Sequence, residues 1–265
     1  MTVATQRHNQ LVEQQPNLMV SLAKSPLEVR EAQQLRYHVF VEECGAQLSS
    51  HTPGLDEDEF DPFCDHLIVR DMRHHLVVGT YRILTSWRAQ EVGRFYSESE
   101  FDLSKLKPLA PRLVEVGRSC IHPAYRQGAV ITLLWAGLAQ YMITRGYQYL
   151  MGCASISAAD GGAQATATYL HLRETCLSPE HWRVIPHHPF PLLTERPEGT
   201  PTLPPLVKGY VCLGAHICGE PAWDRQFNTA DLLMLLPLAR MNARYARHFF
   251  GVRCEAHGEA FAPAV

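Results

Sequence analysis

The stretch Leu113-Val-Glu-Val-Gly-Arg-Ser-Cys-Ile-His-Pro-Ala-Tyr-Arg126 limits the fold more than any other part of the chain. Val114 and Val116 alternate with Leu113, Glu115 and Gly117, a period-two pattern of β-branched side chains that predicts a strand. His122-Pro123 ends it, because the residue before a proline is held extended. From about Val130 to Arg145 the period becomes helical, with Ile131, Leu134, Trp135, Leu138, Tyr141 and Met142 on one face. The unit is a strand, a short loop and an amphipathic helix. Its strand carries Glu115, Arg118 and Ser119 together, either as a base beside a cation and a hydroxyl or as an ion pair on a solvated edge.

The segments on either side fill in a mixed domain. Residues 1–16 lack periodicity and are rich in glutamine, which predicts a flexible lead-in. Leu18, Val20 and Leu22 alternate in a short strand, and Ser25-Pro26-Leu27-Glu28 is a capping box with proline at the first helical position. In the helix that follows, Val29, Ala32, Leu35 and Val39 form a core stripe. Arg36 and Phe40 lie on a neighbouring face, lining a site or packing an arginine stem on a ring. Residues 66–70 and 76–84 predict a hairpin, with Gly79 marking a bulge or a close backbone approach. A strand at 149–156 and a helix after Gly161-Gly162 come next. A proline-rich connector then spans 186–205, before strands at Leu206–Ile217 and Ala230–Leu238. Residues 17–250 read as a single domain, and 251–265 as a tail. The order predicts an α+β (mixed α/β) fold with a twisted, largely antiparallel sheet and helices on both faces.

Charge and cysteine content narrow the function classes. A net charge of -3 gives no basic field for nucleic acid. The eight cysteines form no C-x-x-C and read as buried thiols of a reducing compartment. No apolar run approaches the roughly 18 residues that span a bilayer, so a cytoplasmic protein is expected. Asp56 to Asp65 is a dense acidic loop, either a solvated run or carboxylates that hold an amine. It lacks the order of a calcium loop, and no histidine or cysteine spacing supports a metal site.

Several motifs in order resemble the GNAT acyltransferase fold, and within it the ornithine-lipid N-acyltransferases. They are Phe60-Asp61 with Cys64-Asp65-His66-Leu67, then Val78-Gly79-Thr80-Tyr81-Arg82, then Glu115 with Gly117-Arg118-Ser119. Lys208-Gly209-Tyr210 and the Arg244 to Phe249 segment complete the series. A more distant similarity to acyl-homoserine lactone synthases rests on Arg36 and Phe40, on Asp58 and Asp61, on Arg82, and on Glu115 with Arg118. The resemblance implies transfer of a (3-hydroxy)fatty acyl group to the α-amine of L-ornithine. A related synthase using another amine is the alternative.

Because an ammonium is no nucleophile, a base must take its proton. Glu115 is the candidate, with Arg118 and Ser119 beside it. Asp58, Asp61 and Asp65 are expected to hold the cationic side chain of the acceptor, and Arg82 or Arg118 its carboxylate. The loop Arg126-Gln127-Gly128 has one glycine where acetyl-CoA users carry a glycine-rich pyrophosphate cradle. That suits a donor on the phosphopantetheine of acyl carrier protein, with acyl-CoA the alternative, and no other cofactor is expected. Arg126 and Gly128 are the donor-side candidates. The acylated product is amphiphilic, so Arg240 to Phe250, basic and aromatic, either contacts the inner face of the cytoplasmic membrane or closes the core.

Overall fold

The computed structural model describes residues 17–47, 50, 52–195, 199 and 201–241. The lead-in, the tail and the basic-aromatic segment from 242 onward therefore lie outside the described residues.

A single mixed sheet organises the chain. Its order is β1 (Leu18–Leu22), β2 (Asp65–Asp71), β3 (Leu76–Thr85), β5 (Leu113–Ile121), β6 (Tyr149–Ser157), β10 (Thr229–Pro237) and β8 (His216–Ile217). The short β9 (Ala222–Asp224) also pairs with β10, while β4 (Phe101–Asp102) and β7 (Ile185–Pro186) form a separate two-stranded ribbon. Every pairing is antiparallel except that of β5 with β6, which is parallel. A parallel pair needs a crossover, and α3 (Ala129–Arg145) supplies it.

Strand alternation assigns the two faces. Leu67 and Val69 of β2 point toward α3, where Val130, Leu134, Leu138 and Met142 recur every four residues and are all buried. Each such side chain contributes about 1.5–3 kcal/mol of burial free energy. Ile68, between them, points to the opposite face and packs with Ala32 and Leu35 of α1 (Pro26–Tyr37) and with Val39 of the π-helical turn His38–Glu43 that continues it. Ser25 caps α1 by accepting the Glu28 N–H at 3.3 Å, as the capping motif predicts. Gly79 is needed for close approach, since a Cβ there would lie 2.4 Å from Val130 Cγ1 of α3. Its strand also carries the expected bulge, with Val78 unpaired between Gly79 opposite Val69 and Val77 opposite Arg70.

One expected strand is a helix. Residues 206–217 form α5 (Pro205–Leu213) followed by the two-residue β8. Proline at the first helical position starts α5, and Gly214 ends it in the left-handed conformation. Val207, Tyr210 and Leu213 then fall on a buried face, and Gly209 admits the Trp135 ring of α3. The connection at 91–111 is also more structured than expected. It holds the end of α2 (Ser86–Val92), turns of 3₁₀ helix at Tyr96–Ser99 and Ser104–Arg112, and β4. α4 (Ala163–Thr175) follows the Gly161-Gly162 pair as predicted. The thiols are not uniformly buried, for Cys120 and Cys218 are enclosed while Cys44 and Cys212 are exposed.

Candidate active site

The site is built where β5 changes its pairing on both sides. Toward β3, Cys120 opposes Thr80 and Gly117 opposes Arg82, so Arg118 and Ser119 share the single partner Tyr81. This is a bulge, and it holds Arg118 at φ 49°, the left-handed region that non-glycine residues rarely enter. Toward β6, pairing covers only Leu113–Glu115 against Tyr149–Met151, and no register joins the strands beyond. Gly152 stands at the fork, where a Cβ would lie 2.3 Å from the Val116 carbonyl oxygen. Any side chain there would force the strands further apart.

The fork opens into a cavity of about 460 Å³ lined by Glu115, Gly117, Arg118, Ser119, Tyr81 and Phe40, among others. A second, more apolar groove of about 630 Å³ runs along β5 and the start of α3, past Ile121, Gly128, Ile131 and Trp135. Ser119 and Leu206 border both spaces, so the two meet at the β5 bulge.

Glu115 is 3% exposed at the cavity wall. Its Oε2 accepts the Tyr96 N–H at 2.7 Å, and its Oε1 accepts the Ser97 N–H at 2.8 Å together with the Ser97 hydroxyl. Burial raises its proton affinity against the pull of these donors. A raised carboxyl is the poise required of a base toward an amine. Glu115 also holds the 96–97 turn in place, so it anchors structure and faces the cavity.

The acidic loop and the arginines form one network. Arg36, with no exposed surface, donates from Nε to Asp56 at 3.1 Å and from its terminal nitrogens to Asp61 at 3.0 and 2.8 Å. Arg82 donates to Asp58 at 2.6 Å and Asp61 at 3.2 Å. Arg118 reaches Asp58 at 3.4 Å and the Tyr96 hydroxyl at 3.2 Å, and its guanidinium carbon lies 5.1 Å from the Phe227 ring centre. Burial disfavours the Asp61 charge, but Arg36 and Arg82 outweigh it and hold the carboxyl well below the usual range. Asp58 is lowered too, with Arg82 and Arg118 overcoming its burial.

Of the expected site residues, the catalytic candidates Glu115, Arg118 and Ser119 and the acceptor candidates Arg36, Phe40, Asp58, Asp61 and Arg82 are thus gathered around the bulge. Asp58 and Asp61 spend their charge on arginines, which makes them the scaffold that orients Arg82 and Arg118. Asp65 stands apart, exposed, where it accepts the Tyr141 hydroxyl at 2.7 Å. On the donor side, Arg126 lines the apolar groove but is paired with Glu43 at 2.6 and 2.7 Å. Gly128 takes φ 101° as the N-cap of α3. Burial pushes the Cys120 thiol up, so it is not poised as a nucleophile.

Sequence reasoning missed Tyr81 with Tyr210, whose hydroxyls meet at 2.8 Å on the cavity wall, and it missed Ser97 and Asp231. Tyr81 sat inside a motif already noted. Asp231 carried its own signal, since a lone carboxylate inside the apolar run of β10 must be buried.

The acetyltransferase (GNAT) domain family matches residues 35–136, the segment that runs from the end of α1 through the acidic loop and the bulge into the first half of α3. Fold and site thus define a GNAT-class acyltransferase. Among solved structures, the acyl-homoserine lactone synthase LasI aligns over 89% of this chain and 96% of its own at TM-score 0.51 and 13% identity. FeeM, an N-acyl amino acid synthase from uncultured soil microbes, covers 86% and 93% at TM-score 0.52 and 13% identity. At those identities the likeness is one of fold. The L-ornithine N(alpha)-acyltransferase of Rhodobacter capsulatus is 38% identical over 254 residues, covering 90% of this chain and 96% of that protein. The Brucella abortus protein of the same name is 36% identical over 88% of this chain and 89% of its own. The chain belongs to the L-ornithine N(alpha)-acyltransferase family.

Proposed function

We propose that the protein transfers a fatty acyl group from the phosphopantetheine of acyl carrier protein to the α-amine of L-ornithine, giving lyso-ornithine lipid. The observation that carries this reading is the meeting of two spaces at one bulge. The polar cavity with Glu115 takes the amine, and the apolar groove along α3 takes the acyl-pantetheine arm. The curated relatives supply the acceptor's identity.

In the reaction, the amine nitrogen attacks the thioester carbonyl, the C–N bond forms and the C–S bond breaks. Glu115 receives the proton of the amine. Main-chain N–H groups on the splayed edge of β5, near Gly117 to Ser119, face the developing oxyanion. The departing thiolate needs a proton. Tyr81 and Tyr210, whose phenols burial raises, keep theirs at neutral pH and can donate one. Arg118 and Arg82, held charged by the aspartates despite burial, orient the acceptor carboxylate.

Among the described residues no helix is long and apolar enough to cross a membrane. The amphiphilic product is released at the inner membrane face, and residues 240–250 are the segment proposed to meet it. The test is incubation of the purified full chain with ornithine and acyl carrier protein bearing a 3-hydroxyacyl group, followed by mass spectrometry. N-acylornithine should accumulate. No product, or product only with S-adenosylmethionine as the amine, would reject the assignment.

A further inference from the structure

The cavity has an acidic recess that the chemistry above does not use. Asp231, on β10, is 3% exposed, and its carboxylate is met by neutral hydroxyls, Ser155 at 3.1 Å and Thr229 at 2.6 Å. Glu100 lies beside it, with a carboxylate oxygen 3.7 Å from the Cys153 Sγ. One ligand atom from each of Glu100, Cys153 and Asp231 lies within 4.8 Å of the others. The ion pairs among the described residues give neither carboxylate a cation, whereas Asp56, Asp58 and Asp61 each have at least one arginine. Burial raises both carboxyls, with the nearby Asp224 adding to each and Asp231 also repelling Glu100, a cost that an arriving cation relieves.

Two further observations point to a ligand. Arg118, whose side chain is 12% exposed, lines the same cavity with a buried Nε–H that no described acceptor takes. Asp56 Oδ2 is 3.2 Å away but off the line of a hydrogen bond. The recess is also tied to the base, for the Ser97 hydroxyl touches Glu115 on one side and Cys153 at 3.3 Å on the other. Among the described residues, the cavity wall therefore brings together an arginine with one unpaired N–H, a base and two carboxyls with no cation of their own.

We infer that Asp231 and Glu100 seat the side-chain ammonium of the acceptor while Arg118 takes its α-carboxylate, so that this wall selects a dibasic amino acid. The inference rests on reading the cavity as the acceptor site. It moves the cation from the acidic loop, whose charge the arginines consume, to β10 and the β4 approach.

The experiment compares kcat/KM for ornithine with that for norvaline, which lacks only the terminal amine, in the full chain and in Asp231→Asn and Glu100→Gln. The wild type should favour ornithine, and each variant should lower the ornithine-to-norvaline ratio at least about tenfold, as loss of a buried charge contact does. Norvaline turnover should change much less, and because the readout is a ratio it is insensitive to partial loss of folded protein. An unchanged ratio in both variants, with ornithine still acylated, overturns the recess alone. A wild type that acylates neither amine overturns the acceptor reading itself. A stoichiometric metal ion in the purified protein, lost in Asp231→Asn, would assign the same three residues to a cation of another kind and overturn the inference.

Discussion

Replacing Arg36 with leucine tests the idea that the acidic loop is scaffold. The Arg36 side chain is wholly buried, and those of Asp56 and Asp61 are 2% and 5% exposed. Removing one member of such a cluster leaves buried carboxylates short of a partner, which costs about 3–5 kcal/mol. Asp61 would keep Arg82 at 3.2 Å and Asp56 would keep Arg118 at 3.2 Å, so the lower end applies. At about 2–4 °C per kcal/mol for a domain of this size, roughly 3 kcal/mol lowers Tm by roughly 6–12 °C. The pH dependence has a definite sign. Asp61 titrates below its unfolded value, so its contribution is present above the ordinary carboxylate range and fades as pH falls toward the folded value. Thermal scans of wild type and Arg36→Leu at pH 7 and pH 3 should show the Tm gap narrowing in acid, with most of the change below pH 4. A pH 7 gap under about 2 °C, or one that widens in acid, would refute the scaffold reading.

Two further outcomes follow from the packing and the donor groove. Gly79→Val should destabilise by about 1–3 kcal/mol, because its first side-chain atom already meets Val130 and an overpacked core must shift; urea unfolding checks it. Acyl carrier protein should serve as donor at least about tenfold better than acyl-CoA at equal concentration, and added salt should weaken its use. Equal kcat/KM for the two donors would count against the reading of the single-glycine loop.

Much of the frame was legible because period and punctuation agreed. The β5–α3 unit, the β2–β3 hairpin with its glycine, and the capped α1 all follow from local signals that the tertiary structure reinforces. The helix α5 was not, since a short apolar run such as Leu206 to Leu213 fits either period. Its packing of Gly209 on Trp135 is a contact between elements some seventy residues apart. The site divides in the same way. Glu115, Arg118 and Ser119 share one strand and could be seen together. Which carboxylates would be neutralised was invisible, because it depends on Arg36 arriving from α1 and Arg82 from β3. Asp231 was legible in type but not in place, as only the β6–β10 register sets it beside Ser155.

The most direct test of the central claim is acyl transfer to ornithine by Glu115→Gln, measured by mass spectrometry at saturating acyl carrier protein donor with Tm recorded in parallel. Because Glu115 holds the Tyr96 and Ser97 N–H groups, a modest Tm change is expected, and activity is compared at a temperature where both proteins are folded. The account predicts a fall in kcat of about 10²-fold or more, the scale of losing a general base. Near-normal kcat in a folded Glu115→Gln would contradict it and leave Glu115 as an anchor of the 96–97 turn alone.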